Sequence, residues 1–318
     1  MNSTRSQVAA ILDAVRFQSG TAFSFQGENY EFTSESEAES KLRDLLYERC
    51  YMRQINDSRR PESNSHESLL HELRAANAGT PKWQTGWCIQ AVHEGGWISA
   101  QRDGLKRAFA PGEFVTKEGP GMPLRVGGTA DVYFAIESIY MQPGFYFAFA
   151  ETIGDESADG PLLRFYWHVE AAGAPMLLHL LSRRMNHFQV PFRFKCLIHP
   201  AAYCRSDAAV IFVPRRWYQI AARLLREVHE ASASHLRVDT PLFTKHLAGG
   251  LGFAEDPGGG QSFGMHRCAA LARALRNVGL TQAQLSAGAV EADLSNQGVS
   301  PVFPYLNPGS ADIYDFIT

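Results

Sequence analysis

Leu163-Arg164-Phe165-Tyr166-Trp167-His168-Val169 alternates strictly, and its reading decides the fold. Arg164, Tyr166 and His168 fall on one side, with Phe165, Trp167 and Val169 on the other, the period of a half-buried strand. Helical spacing follows over 174–188. A second strand, 191–198, sets Arg193 and Lys195 opposite Phe192, Phe194 and Cys196. After a short loop, Arg205-Ser206-Asp207 leads into a third, apolar strand over 208–213. Strand–helix–strand order tends to bring its strands side by side in one sheet. His168, Lys195 and Arg205 then share a face, placing a proton donor, a strong base and an anion clamp within reach of one another.

Outward from this unit the chain changes character twice. Residues 7–17 and 38–52 carry helical apolar spacing, with Phe23 to Phe32 between them patterned as a short hairpin. Residues 57–67 are polar and rich in Ser, Asn, Pro and Arg, as an exposed loop is. A short helix is predicted over 68–77. From 82 to 152 five alternating stretches, punctuated by Gly and Pro, predict a β-rich region. Beyond the strand–helix–strand unit come an amphipathic helix over 215–233, a Gly-rich segment, helices over 264–276 and 281–294, and a tail. The fold class expected is α+β, a β-rich centre and a strand–helix–strand unit flanked by N- and C-terminal helices. Its expected divisions are an N-terminal helical region over 1–57, a linker over 58–81 and an α+β domain over 82–318.

Composition permits an enzyme and disfavours several other classes. The 318 residues, 45% of them hydrophobic, suffice for a substantial core. A net charge of −3 disfavours a general nucleic-acid or anionic-membrane binder. The five cysteines are scattered and form no C-x-x-C pair, so a reduced, cytoplasmic protein without a disulfide framework is expected. No stretch resembles a signal h-region or a membrane span. There is no H-E-x-x-H, no His/Cys cluster with metal-ligand spacing, no G-x-S-x-G elbow and no Walker A sequence. Gly249-Gly250-Leu251-Gly252, with Gly258-Gly259-Gly260 behind it, lacks the strand before it and the acidic residue after it that a dinucleotide site requires. A flexible loop is the simpler expectation.

Five segments carry a family resemblance: Phe192-Arg193-Phe194-Lys195, Tyr203-Cys204-Arg205-Ser206-Asp207, the run from Thr244 to Pro257, Ser262-Phe263-Gly264 with Arg267, and Pro304-Tyr305-Leu306-Asn307-Pro308. Together they resemble the Hop-A type III effector family, and the likeness spans roughly Leu42 to Tyr314. Its motifs are specific in the C-terminal half and loose before residue 160. Members occur in class V lanthipeptide and thioamitide gene clusters beside small-molecule-type kinases. The resemblance implies a lyase that eliminates phosphate from a phosphorylated precursor peptide, giving dehydroalanine or dehydrobutyrine without metal or organic cofactor. Its implied partners are that peptide and a kinase, with no nucleic acid and no membrane. The order of His strand, helix, Phe-Lys strand and Arg is also similar to that of phosphothreonine lyases, which use a Lys base and a His acid. One departure is Tyr166, which stands where those lyases carry a Lys.

The resemblance implies Lys195 as base and His168 as acid. Arg205, Arg164, Arg267 and Lys245 would hold the phosphate, with Tyr166, Asp207 and Arg193 in support. The residue types suit the chemistry. A lysine abstracts an α-proton only if desolvation or neighbouring cations keep it neutral, and guanidinium groups match a leaving phosphate. Plainer readings exist for each residue. A strand Lys is more often a surface residue, a His among aromatics more often a hydrogen-bonded structural group, and Arg205 with Asp207 a salt-bridged strand entrance. A different class of function also stays open: a non-catalytic module or secreted effector that binds a kinase, a leader peptide or a host protein.

Overall fold

The computed structural model describes residues 4–52, 65–117, 122–154, 159–281 and 285–316. The fold is α+β. At the N-terminus, helix α1 (Thr4–Ala14) runs directly into strand β1 (Val15–Ser19), followed by β2 (Ala22–Phe25) and β3 (Glu28–Glu31) in a three-stranded sheet. The helix expected over 7–17 therefore stops at Ala14. Val15 and Phe17 fit a period of two as well as one of 3.6, and pairing with Phe25 and Phe23 settles the ambiguity in favour of strand. Helix α2 (Glu35–Leu46) continues as a π-helical turn, Tyr47–Tyr51. Of the expected linker, residues 58–64 lie outside the described residues, and α3 (Ser65–Ala76) follows.

The β-rich region divides between two sheets. Strands β4 (Lys82–Val92), β5 (Ile98–Arg102), β6 (Leu105–Phe109), β7 (Phe114–Thr116) and β8 (Thr129–Phe134) form one, in the order β6-β5-β4-β8-β7. Its small core is built around Trp87, Ile89, Ile98 and Phe109. Strands β9 (Glu137–Ser138) and β10 (Phe145–Phe149) belong instead to a seven-stranded sheet with β11 (Leu162–Trp167), β12 (Arg193–Leu197), β13 (Ala209–Pro214), β14 (Lys245–Ala248) and β15 (Leu251–Glu255). Helix α4 (Ala174–His187) links β11 to β12, and α5 (Tyr218–Ser232) follows β13. The C-terminal helices are α6 (Phe263–Thr281) and α7 (Ala287–Asn296).

Two expectations are corrected here. Strands β11 and β12 are not neighbours, because β13 lies between them and is antiparallel to both. The short turn through Pro200–Cys204 folds the chain straight back after β12. The all-apolar β13, buried along its whole length, takes the central position that such a sequence needs. The Gly-rich run is likewise no flexible loop. Gly249 and Gly250 form the tight turn of the β14–β15 hairpin, and Gly250 has a φ of 72°. A Cβ there would lie 2.2 Å from the Arg237 carbonyl oxygen, so only glycine fits.

Burial divides the large sheet by face. Phe165 stacks on Tyr218 of α5 with ring centroids 6.3 Å apart, and Trp167 lies against His229 of the same helix. The opposite face is covered in part by the start of α6, where Phe263 meets Tyr166 and Tyr51. Segments 236–251 cover its end at His168, and the remainder of that face is open. Among the described residues, no helix is long and apolar enough to cross a membrane.

The approach of α6 to the π-helical turn depends on Gly264, whose added Cβ would lie 2.4 Å from Tyr51 Cε1 and 2.8 Å from Tyr47 Cε2. Gly264→Ala should therefore destabilise the protein. Overpacking of ~1–3 kcal/mol outweighs a helix-propensity gain of at most ~1 kcal/mol. Urea unfolding checks this, and a midpoint equal to that of the parent would show that the tyrosines can yield.

Candidate functional site

The register of the large sheet stacks side chains in rows on its open face. Arg164 of β11, Phe212 of β13, Arg193 of β12 and Phe149 of β10 form one row. Tyr166, Val210, Lys195 and Phe147 form the next. These rows floor a cleft of about 820 Å3. Its sides come from Tyr47 and Tyr51, from Arg205 and Asp207 ahead of β13, from Met141 and Gln142, and from the loop Asp256–Ser262.

Phe212 is the aromatic platform for the basic groups. The Arg164 and Arg193 guanidinium carbons lie 5.2 and 4.6 Å from its ring centroid, and Lys195 Nζ lies 6.0 Å away. Lys195 Nζ also sits 4.6 Å from the Phe145 ring. Such contacts offset part of the cost of removing cations from water. Arg164 donates to Asp256 Oδ2 (2.7 Å) and to the Gln261 carbonyl (2.6 Å), tying the glycine-rich loop to the cleft floor. Arg205 grips Asp207 through two bonds of 2.5 and 2.8 Å and donates to Tyr47 Oη at 3.0 Å.

Arg193 and Lys195 are poorly compensated by comparison. Among the described residues Arg193 makes no ion pair, and its buried Nε has no hydrogen-bond partner. Among the described residues Lys195 donates only to Gln142 Oε1, at 3.2 Å. Burial lowers the Lys195 pKa to about 8. Asp207 opposes the shift, while Arg164, Arg205 and Arg193 reinforce it. Four basic side chains thus face two carboxylates, Asp207 and Asp256, around one cleft. That surplus suits a phosphate ester, which carries about −1.5 to −2 charge near pH 7.

Three expected site residues are not brought into the cleft. His168 follows the last residue of β11, in a third row that segments 236–251 cover, and it is 1% exposed. Its Nδ1 lies 3.0 Å from the Asp239 carbonyl oxygen, which only accepts, so Nδ1 carries the proton. Burial lowers its pKa, so the ring is neutral at pH 7 and Nε2 has no proton to give. Lys245 on β14 bonds both Asp312 carboxylate oxygens (2.8 and 2.9 Å) and the Tyr314 carbonyl, anchoring the C-terminal tail. Arg267, 1% exposed, donates to the carbonyls of Pro304 (2.7 Å) and Leu306 (2.9 Å). Arg267 and the segment 304–308 are therefore two halves of one structural clamp. Asn307 extends it by donating to the Asp256 carbonyl at 2.7 Å.

Sequence reasoning also missed residues that line the cleft: Tyr47, Tyr51, Gln142, Phe212, Asp256 and Gln261. The i, i+4 spacing of the two tyrosines was the only local signal. Phe212 could not be told apart from the rest of an apolar strand. Among the described residues, no group of three or more His, Cys, Asp or Glu is placed to hold a metal ion.

Comparison with known proteins places residues 137–306 in a match to the HopA1 effector protein family, more than half of the chain. Two similar solved structures are effector proteins from Pseudomonas syringae. The one from pathovar tomato strain DC3000 has 16% identity and a TM-score of 0.49, over 86% of this chain and 95% of that one. The one from pathovar syringae strain 61 has 16% identity and a TM-score of 0.47, over 83% and 88%. No curated protein matches.

If the cleft is an anion site, isothermal titration with phosphothreonine should separate the two groups of cations. Arg193→Ala or Lys195→Ala should weaken binding roughly tenfold to a hundredfold, as loss of one charge-assisted bond does. Lys245→Ala should leave affinity unchanged. Equal losses in all three variants would remove the cleft as the binding place.

Proposed function

This chain belongs to the HopA1 effector protein family, and from that premise we propose that it is a phosphoserine/phosphothreonine lyase acting on a ribosomally made peptide. The observation that carries this reading is Lys195, with its pKa lowered to about 8, set beside Arg164, Arg193 and Arg205 in one open cleft. A kinase first phosphorylates a Ser or Thr of the precursor peptide. The phosphate then enters between the guanidinium groups, Arg193 meeting it without having to break an ion pair.

The neutral Nζ of Lys195 takes the α-proton. The electron pair of that C–H bond becomes the Cα=Cβ double bond, the Cβ–O bond breaks, and phosphate leaves with the electrons of the broken bond. The products are dehydroalanine or dehydrobutyrine, inorganic phosphate and protonated Lys195. The guanidinium groups stabilise both the enolate-like charge on the peptide carbonyl and the growing charge on phosphate. The ester reacts as its dianion, so phosphate departs as the trianion, and the guanidinium groups hold that charge until a proton from solvent converts it to hydrogen phosphate. His168, sealed outside the cleft with an unprotonated Nε2, is not placed to supply that proton. Side-chain cations supply the positive charge that a metal would otherwise provide, and the protein acts in the cytoplasm beside its kinase.

The pH dependence follows from the direction of the Lys195 shift. A folded-state pKa near 8, below the ordinary lysine value of 10.5, means that the neutral base accumulates as pH rises and is half-formed near pH 8. For the free enzyme, kcat/KM should climb about tenfold per pH unit below that value and level off above it. A profile still climbing at pH 10 would show an ordinary, unperturbed lysine.

The decisive experiment is mass spectrometry of a phosphothreonine peptide incubated with the protein and EDTA. Loss of the mass of phosphoric acid is expected, and Lys195→Arg, which keeps the charge but not the base, should reduce it by at least about a thousandfold. His168→Gln should retain elimination. An unchanged peptide mass, with the partner kinase also present, would leave a binding module in place of an enzyme.

A further inference from the structure

Beyond the Arg164–Phe212–Arg193 row a second cavity of about 630 Å3 opens where β10 and β13 finish and β11 and β12 begin, and it faces β6 and the end of β8 in the five-stranded sheet. The two cavities share five residues: Met141, Gly160, Leu162, Arg193 and Phe212. They adjoin along this shared wall, with the basic cluster on one side and a different lining on the other. The lining of the second cavity is largely apolar, with Phe109, Phe149, Ile153, Phe192 and Trp97 among its walls. Its acidic groups are already engaged. Asp159 pairs with Arg216 at 2.5 Å, and Glu113 accepts the Ala110 amide at 2.8 Å. Trp97 is 47% exposed, Tyr133 38% and Met141 53%, although all three are large and apolar. A concave surface of this kind, adjoining a charged site, is how binding sites for extended ligands are built.

We propose that this second cavity binds the substrate peptide itself, taking apolar side chains that flank the phosphorylated residue. The assignment rests on the lyase reading only in that the phosphorylated residue occupies the cleft at Lys195. Arg193 lies two residues along β12 from Lys195, a span of roughly 7 Å. An extended peptide rises by about the same amount over two residues, so its second residue to one side of the phosphorylated position reaches the shared wall. Residues further along enter the cavity, where Trp97 and Tyr133 offer rigid aromatic surface at little entropic cost. Peptides with leucine or phenylalanine at such positions are preferred over those with serine.

The test compares two phosphothreonine peptides in the elimination assay. One is long and carries Leu and Phe several residues to either side, and the other is a capped tripeptide. Trp97→Ala and, separately, Tyr133→Ala should raise KM for the long peptide about tenfold, the loss of one interface anchor, with kcat unchanged. The tripeptide should be processed as by the parent protein. Equal effects on both peptides, or none on the long one, would overturn the assignment. Equilibrium binding by fluorescence anisotropy repeats the comparison without chemistry. Length-dependent affinity lost in Trp97→Ala supports the assignment even if no elimination occurs, whereas elimination without length dependence refutes the assignment and leaves the lyase standing. A parent protein that sediments as a dimer, and a Trp97→Ala protein that sediments as a monomer, would assign the surface to a second copy instead.

Discussion

The position of β13 between β11 and β12 is the constraint on which the site depends. Its antiparallel register with both neighbours aligns Arg164, Phe212 and Arg193 in one row and Tyr166, Val210 and Lys195 in the next. Side chains alternate across a strand, so a slip of one residue in either pairing would drive Arg164, or Arg193 and Lys195, into the core beneath α4 and α5. That core is filled by Phe165, Trp167, Ile211, Val213 and Phe194, all essentially without exposure. The energy of burying these residues on one face therefore holds the cations together on the other. Register is strongly specified here because an error would bury charge.

Gathering four cations on one face is unfavourable, and the surroundings limit the cost without cancelling it. Asp207 takes Arg205, Asp256 takes Arg164, and Phe212 presents its ring to three of the four. The C-terminal tail contributes at one remove. Arg267 holds the carbonyls of Pro304 and Leu306, and Asn307 holds that of Asp256, so the loop that faces Arg164 is braced by a segment fifty residues later in the chain. Tyr314 adds a bond to Glu255 on the strand leading into that loop. What remains uncompensated, Arg193 and Lys195, is the part of the site left for an anion.

Much of the architecture was legible because local patterns suffice where one face is core and the other is not. Alternation over 163–169 and over 191–198 correctly put Arg164, Tyr166, Arg193 and Lys195 on one face. The same alternation put His168 there too, and failed for a different reason. Periodicity gives the side of a strand but not the depth along it, and segments 236–251 close over the third row. Val15 and Phe17 fit two periods at once, and only their partners Phe25 and Phe23 decide between them. Lys245 and Arg267 carry the right charge but spend it on Asp312 and on tail carbonyls, partners up to 69 residues away that no local pattern announces.

By itself the sequence determined the α+β class, strands β10 to β13 of the large sheet with helices α4 and α5, and the basic residues of β11 and β12 that face away from its core. These follow from short-range periodicity and from the cost of burying charge. Only the tertiary structure decided that β13 separates β11 from β12, that Phe212 carries the cations, and that His168 is sealed under segments 236–251 beside the cleft. It alone joined the cleft to a second, apolar cavity against the five-stranded sheet. Strand order, depth and the meeting of the two cavities arise from contacts between residues far apart in the chain. The preference for them is spread over many side chains, and no local stretch records it.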